Sequence, residues 1–140
     1  MIKKYIDKGF TLVEIMVVIA IITIVVAMIS VNLLRSKAIA IEANAQTTLR
    51  TISTAIESYA GVNEGMYFEG SDLSTLYNAN PRYISKDYVD ECTIDSPCQG
   101  YSYDCDLALT GYTCVATPDV VYGDARIYQI QSGGNLTVVE

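Results

Sequence analysis

A chain of 140 residues has room for one domain and an anchor, not for several domains. Its sixteen acids outweigh nine Lys and Arg, for a net charge of −7, which argues against a dedicated nucleic-acid surface. It has no histidine, so the commonest general base and a frequent zinc ligand are missing, and there is no Gly-rich phosphate loop or nucleophile motif; no enzyme is expected.

Residues 1–9 hold Lys3, Lys4 and Lys8 against Asp7, a net +2, and end in Gly9. Phe10-Thr11-Leu12-Val13-Glu14 follows, and then Ile15 to Leu34, twenty residues without a formal charge. About that many are needed to cross the hydrocarbon core of a bilayer as a helix. Glu14 sits at the leading edge of the run. A carboxylate there is costly unless it finds a partner, so it is a candidate functional residue. The leader lysines favour a cytoplasmic amino terminus; Arg35 and Lys37, beyond the run, oppose this mildly.

Gly9-Phe10-Thr11-Leu12-Val13-Glu14, with the Lys-rich leader and the apolar run in register, resembles the type IV pilin and type II secretion pseudopilin family. The resemblance covers roughly residues 1–60. It implies that a dedicated membrane peptidase cuts after Gly9, that the same enzyme methylates the new amino terminus at Phe10, and that Glu14 serves subunit assembly. A Sec signal has a core of about 7–15 residues ending at a small-residue cleavage site, shorter than this run. A plain signal anchor would account for the lysines and the run but not for the hexapeptide.

Between Phe10 and Ala60 there is no glycine or proline, so one helix of 51 residues is predicted. Its first half is apolar all round. In its second half Ile41, Ala45, Leu49, Ile52, Ile56 and Tyr59 form one stripe at helical spacing, with Asn44, Gln46, Thr47, Arg50 and Glu57 off it. Gly61 is the predicted stop. Many type IV pilins have a proline about twenty residues after the cleavage site; Val31 and Asn32 stand there in this chain, which argues against local melting of the helix.

Residues 61–98 read as a loop-rich connector, with a helical turn at Ser71–Leu76 capped by Ser71 or Asp72 and with Tyr83, Ile84, Tyr88 and Val89 as apolar anchors. The period then changes to two. Tyr101, Tyr103, Cys105 and Leu107 alternate with polar residues, as do Tyr112, Cys114 and Ala116. A hairpin centred on Leu109-Thr110, with Gly111 in the turn region, sets Cys105 opposite Cys114 and Tyr103 opposite Ala116. A third strand is expected at Ala125–Gln131, a turn at Ser132–Asn135 and a short fourth strand at Leu136–Val139. The fold class is α+β: a long N-terminal helix, half membrane and half amphipathic, packed on an antiparallel sheet of three or four strands. The organisation reads as a leader over 1–9, a membrane or filament-core half-helix over 10–34, an amphipathic half over 35–60, a connector over 61–98 and a sheet head over 99–140.

Cys92, Cys98, Cys105 and Cys114 all lie beyond the helix, and an even count in an exported domain reads as disulfides. Four cysteines allow three connectivities; Cys92–Cys98 across a short loop and Cys105–Cys114 across the hairpin are favoured. Zinc would want tighter pairs. No cofactor is expected. The resemblance suggests one exception, because major pseudopilins bind calcium in a loop late in the sheet and Asp119 and Asp124 flank such a loop. Two acids fall short of the six to eight oxygens calcium takes. Asp104 and Asp106 read as a solvated strand face, the eleven tyrosines as packing residues, and Asn135-Leu136-Thr137 as a bare sequon.

The reading is a structural subunit of a type IV pilus-like filament. The alternatives are a major pseudopilin of a type II secretion system and a single-pass anchored periplasmic binding domain. Expected partners are copies of the chain in a helical filament, the prepilin peptidase and an inner-membrane assembly platform. The precursor would span the inner membrane with its head in the periplasm, and the assembled form would be a cell-surface or periplasmic filament.

Overall fold

A computed structural model describes residues 9–119 and 125–139, in two compact units, Met1–Lys37 and Ala38–Glu140. One helix, α1 (Leu12–Val62), contributes to both. The absence of Gly and Pro up to Ala60 leaves no breaker in its path, which allows its length although Ile, Val and Thr are only middling helix formers. It begins two residues after Phe10 because Thr11 caps it, as described below.

In the first unit the stretch Leu12–Ile29 is long and apolar enough to cross a membrane, and none of it is buried. Its large apolar side chains are all exposed. The leader lysines Lys3, Lys4 and Lys8 lie outside the described residues.

The second unit is a two-layer head. Ile41, Ala45, Leu49, Ile52 and Ile56 are buried, and Tyr59 packs against the same core. They lie against a four-stranded antiparallel sheet in the order β1 (Tyr101–Ala108), β2 (Gly111–Pro118), β3 (Ile127–Gln131) and β4 (Asn135–Val139). Tyr101, Tyr103, Cys105 and Leu107 of β1, with Tyr112, Cys114 and Ala116 of β2, face inward, as strand alternation requires.

Ala108 pairs with Gly111, so the turn is Leu109-Thr110 and Gly111 opens β2 instead of lying in the turn. A Cβ on Gly111 would come 2.7 Å from Ser132 Oγ, which accepts a hydrogen bond from Tyr112 N at 2.8 Å. Glycine there lets the β3–β4 turn press onto the hairpin. β3 begins at Ile127, two residues later than expected, and β4 at Asn135, one earlier.

Helix α1 passes through Gly61 and ends at Val62. Gly61 has helical neighbours and open space, and the stop lies further on. Gly65 N donates to Ala60 O at 2.8 Å while Glu64, with φ 59°, supplies the left-handed step of a Schellman-type end. The connector holds two short helical turns, α2 (Ser74–Tyr77) and α3 (Tyr88–Glu91). The first starts three residues later than expected, with Asp72 Oδ1 accepting from Ser74 N at 3.0 Å. The second was not expected; Asp87 caps it, accepting from Val89 N and Asp90 N.

The connector covers the free edge of β1. Tyr101 N donates to Cys98 O, Tyr103 N to Cys92 O and Leu107 N to Gly70 O. These odd-numbered residues spend their N–H groups away from β2. Cys105, in the same phase, therefore sits at a non-hydrogen-bonded pair with Cys114, where strands approach most closely. Their Cα atoms are 4.1 Å apart and their sulfurs are joined; a second disulfide joins Cys92 to Cys98 and pins the connector beside Tyr101.

Two helix carboxylates fasten the layers together. Glu42 accepts from Tyr128 Oη at 3.0 Å and from Arg126 N at 3.4 Å. Glu57 accepts from Tyr112 Oη and Tyr67 Oη, both at 3.1 Å, and from Gly133 N at 2.8 Å. From Glu42 to Glu57 is about 22 Å of helix. From Arg126 to Gly133 is a similar length of extended chain, about 23 Å. β3 thus runs along the helix with its ends anchored at these two acids.

Candidate functional site

The candidate site is the start of α1. Gly9 and Phe10 precede the helix, both exposed. Among the described residues, a Cβ on Gly9 would meet nothing within 4 Å. Phe10 is 79% exposed.

Thr11 and Glu14 form a closed pair. Glu14 N donates to Thr11 Oγ1 at 3.2 Å. In return Thr11 N and Thr11 Oγ1 donate to Glu14 Oε2 at 3.0 and 2.8 Å. This is a capping box, in which a threonine and a glutamate three residues on satisfy each other's orphan backbone donors. It also places an anion in the first turn, where the helix dipole favours one. Both bonds from Thr11 to the carboxylate fall on Oε2; Oε1 takes neither. The arrangement presents an acid at the mouth of an apolar helix with half of its acceptor capacity committed to its own chain. Reading the sequence singled out Glu14 and passed over Thr11, though Thr-x-x-Glu before an apolar run is the signature of this cap.

Residues 6–30 match the family model for the prokaryotic N-terminal methylation motif. The chain carries the prepilin signature of type IV pilins and pseudopilins. No curated protein and no solved structure matches the chain. The prepilin signature takes in Gly9, Phe10, Thr11, Glu14 and nearly all of the exposed apolar helix, and the head lies outside it. The match supports a precursor of the pilin or pseudopilin kind. The apolar helix that the signature covers is compatible with a membrane anchor.

The other residues singled out from the sequence lie apart from this end. Asp119 donates its backbone N–H to Gly100 O at 2.9 Å, and Asp124 lies outside the described residues. Among the described residues, no three of His, Cys, Asp or Glu are placed to hold a metal ion. Asp104 and Asp106 are exposed on the outer sheet face opposite Val115 and Thr113.

Burial raises the head tyrosines. Tyr112 is pushed up to about 12 by desolvation, with the Glu57 carboxylate adding to it and the Ser53 hydroxyl opposing. Tyr101 is likewise pushed up to about 12, by desolvation first and then by Glu42. These phenols stay neutral donors and serve the layer contacts.

Proposed function

We propose that this chain is the precursor of a structural subunit of a type IV pilus-like filament. Cleavage after Gly9 frees the amine of Phe10, which the processing enzyme methylates. The prepilin signature over residues 6–30, in register with an exposed apolar helix, carries this reading.

Before assembly the helix spans the inner membrane with the head in the periplasm. There Thr11 supplies two donors to Glu14, which lessens the cost of a carboxylate at the membrane margin. During assembly neighbouring helices pack together, and apolar surface that would otherwise meet water contributes about 25 cal/mol per Å². The positive amine of one Phe10 pairs with Glu14 of the next subunit. Good geometry is needed for such a pair to offset its desolvation, so Glu14 chiefly sets axial register. The prepilin peptidase and an inner-membrane assembly platform are the expected partners.

Immunogold electron microscopy of native cells with antibody to the head tests the reading. Labelled filaments extending from the surface are expected. Label confined to the envelope would favour a pseudopilus. An uncleaved leader on the membrane-resident protein would overturn the reading in favour of an anchored domain.

A further inference from the structure

Asn135 is the one asparagine of this chain with a serine or threonine two residues on, Asn135-Leu136-Thr137, and the residue between them is not proline. Asn-x-Thr is the acceptor tripeptide for sugar transfer to asparagine. Asn135 opens β4 directly after the Gly133-Gly134 turn, where both glycines hold positive φ, 82° and 74°. β4 ends the sheet, with β3 as its neighbour on one side. Leu136 packs on the core, while Asn135 and Thr137 are exposed and, by strand alternation, share the outer face. Among the described residues, neither of these two side chains has a hydrogen-bond partner. Register continues the row from Asn135 to Gln131, Thr113 and Asp106 across all four strands. The last three, with Thr110 and Ser132, help to line an open concavity of about 380 Å³. Gln131, Thr113 and Asp106 lie one to three strand spacings from Asn135, about 5–15 Å, and their amide, hydroxyl and carboxylate groups suit sugar hydroxyls.

We infer that Asn135 is a site of N-linked glycosylation, its glycan lying over the outer sheet face. The inference rests on the reading above that places the head outside the inner membrane. The donor is a sugar carried on a polyprenyl diphosphate, and the catalyst is a membrane-bound transferase. Asn135 Nδ2 forms a bond to the anomeric carbon of the sugar. The bond from that carbon to the diphosphate oxygen breaks, the diphosphate leaves with the electron pair, and Nδ2 gives one proton to a base of the transferase. The Thr137 hydroxyl is what marks the tripeptide as an acceptor. An edge strand beside two glycines lifts into the transferase at the cost of one ladder only. The edge also lacks other cover. The connector protects β1, whereas Asn135–Val139 has none of the Lys, Pro or bulge that guards an edge, and its register on β3 is unbroken. A bulky, solvated glycan on Asn135 shields it.

The test uses the full chain from native cells, taken from membranes and from sheared filaments, digested with trypsin and read by mass spectrometry. Cleavage after Arg126 releases the peptide from Ile127 to Glu140, in which Asn135 is the one asparagine. This peptide should be heavier by one or more sugar residues, with fragment ions placing the added mass on Asn135. Asn135→Gln and Thr137→Val should each abolish the shift, while Thr137→Ser retains it. Valine keeps the branched shape that suits a strand, so a loss of glycan in Thr137→Val is not a loss of fold. An unmodified wild-type peptide overturns the inference. Chains that begin at Phe10 then leave the filament reading standing, and chains that begin at Met1 remove it as well. Sugar placed on Ser132 or Thr137, or sugar on Asn135 that survives in Thr137→Val, also overturns the inference, as O-linked transfer or chemical glycation. Thr137-dependent sugar on Asn135 of chains that still begin at Met1 supports the inference and overturns the filament reading.

Discussion

Glu57 receives hydrogen bonds from the connector, the hairpin and the β3–β4 turn through Tyr67, Tyr112 and Gly133. Hydrogen bonds to a charged acceptor contribute about 1.5–3 kcal/mol each before coupling. Glu57→Ala should therefore destabilise the head by about 3 kcal/mol. A urea titration of the wild type and the variant would show it, and an unchanged midpoint would rule the role out. On the sequence Glu57 lay off the apolar stripe, because a helical wheel grades residues by polarity and cannot see a partner arriving from 55 residues away. Tyr101 and Tyr112 give a pH prediction. Their folded pKa, about 12, lies above the ordinary tyrosine value of about 10, so the folded head holds these protons more tightly than the unfolded chain. Their contribution is whole below about pH 10 and is lost as pH rises toward 12. Stability measured across that window should fall as phenolate absorbance grows; a flat profile would contradict the assignment.

Among the elements, α1 was the most legible in the sequence. The fifty-one residues from Phe10 to Ala60 without Gly or Pro leave few alternatives, and the stripe from Ile41 to Ile56 is the buried face. Leu49→Ala should cost about 2–5 kcal/mol, because Leu49 is wholly buried. Thr51→Ala should stay within about 0.5 kcal/mol, since its hydroxyl bonds only to Thr47 O on the exposed face. Thermal unfolding of both variants checks the contrast, and equal losses would mean the wrong face is assigned to the core. The hairpin was legible for a similar reason: strict alternation on both sides of Leu109-Thr110 allows one register that buries both apolar sets. Replacing Cys105 and Cys114 together by Ala should lower stability by about 2–3 kcal/mol, the loop-closure value for a loop of about ten residues. Chemical denaturation without reductant measures it. The connector was legible in its anchors, since Ile84 is buried and Tyr83, Tyr88 and Val89 pack on the core as expected, but not in its helical turns. α3 rests on the Asp87 cap and on the Cys92–Cys98 bridge that follows it, and the position of Asp72 moves α2 down the chain. Short turns of this kind are set by local side-chain bonds, with too few residues for a period to emerge.

For the whole molecule the decisive prediction is at Glu14. Glu14→Ala should leave membrane insertion and cleavage after Gly9 intact while filaments fail to form. Immunoblotting for the processed form beside electron microscopy separates the two steps, and normal filaments from the variant would remove Glu14 from assembly. Thr11→Val should leave the charge in place but withdraw the hydroxyl that holds Oε2, and an intermediate filament yield is expected.

The sequence by itself determined the division into an apolar helix and a stapled α+β head, and it carried the prepilin signature, because charge, periodicity and a contiguous hexapeptide are local properties of the chain. Only the tertiary structure decided that Glu42 and Glu57 fasten the sheet at its two ends and that the connector covers the edge of β1. These depend on residues far apart in sequence meeting at specific distances, or on which face of a turn is left open once the core has packed.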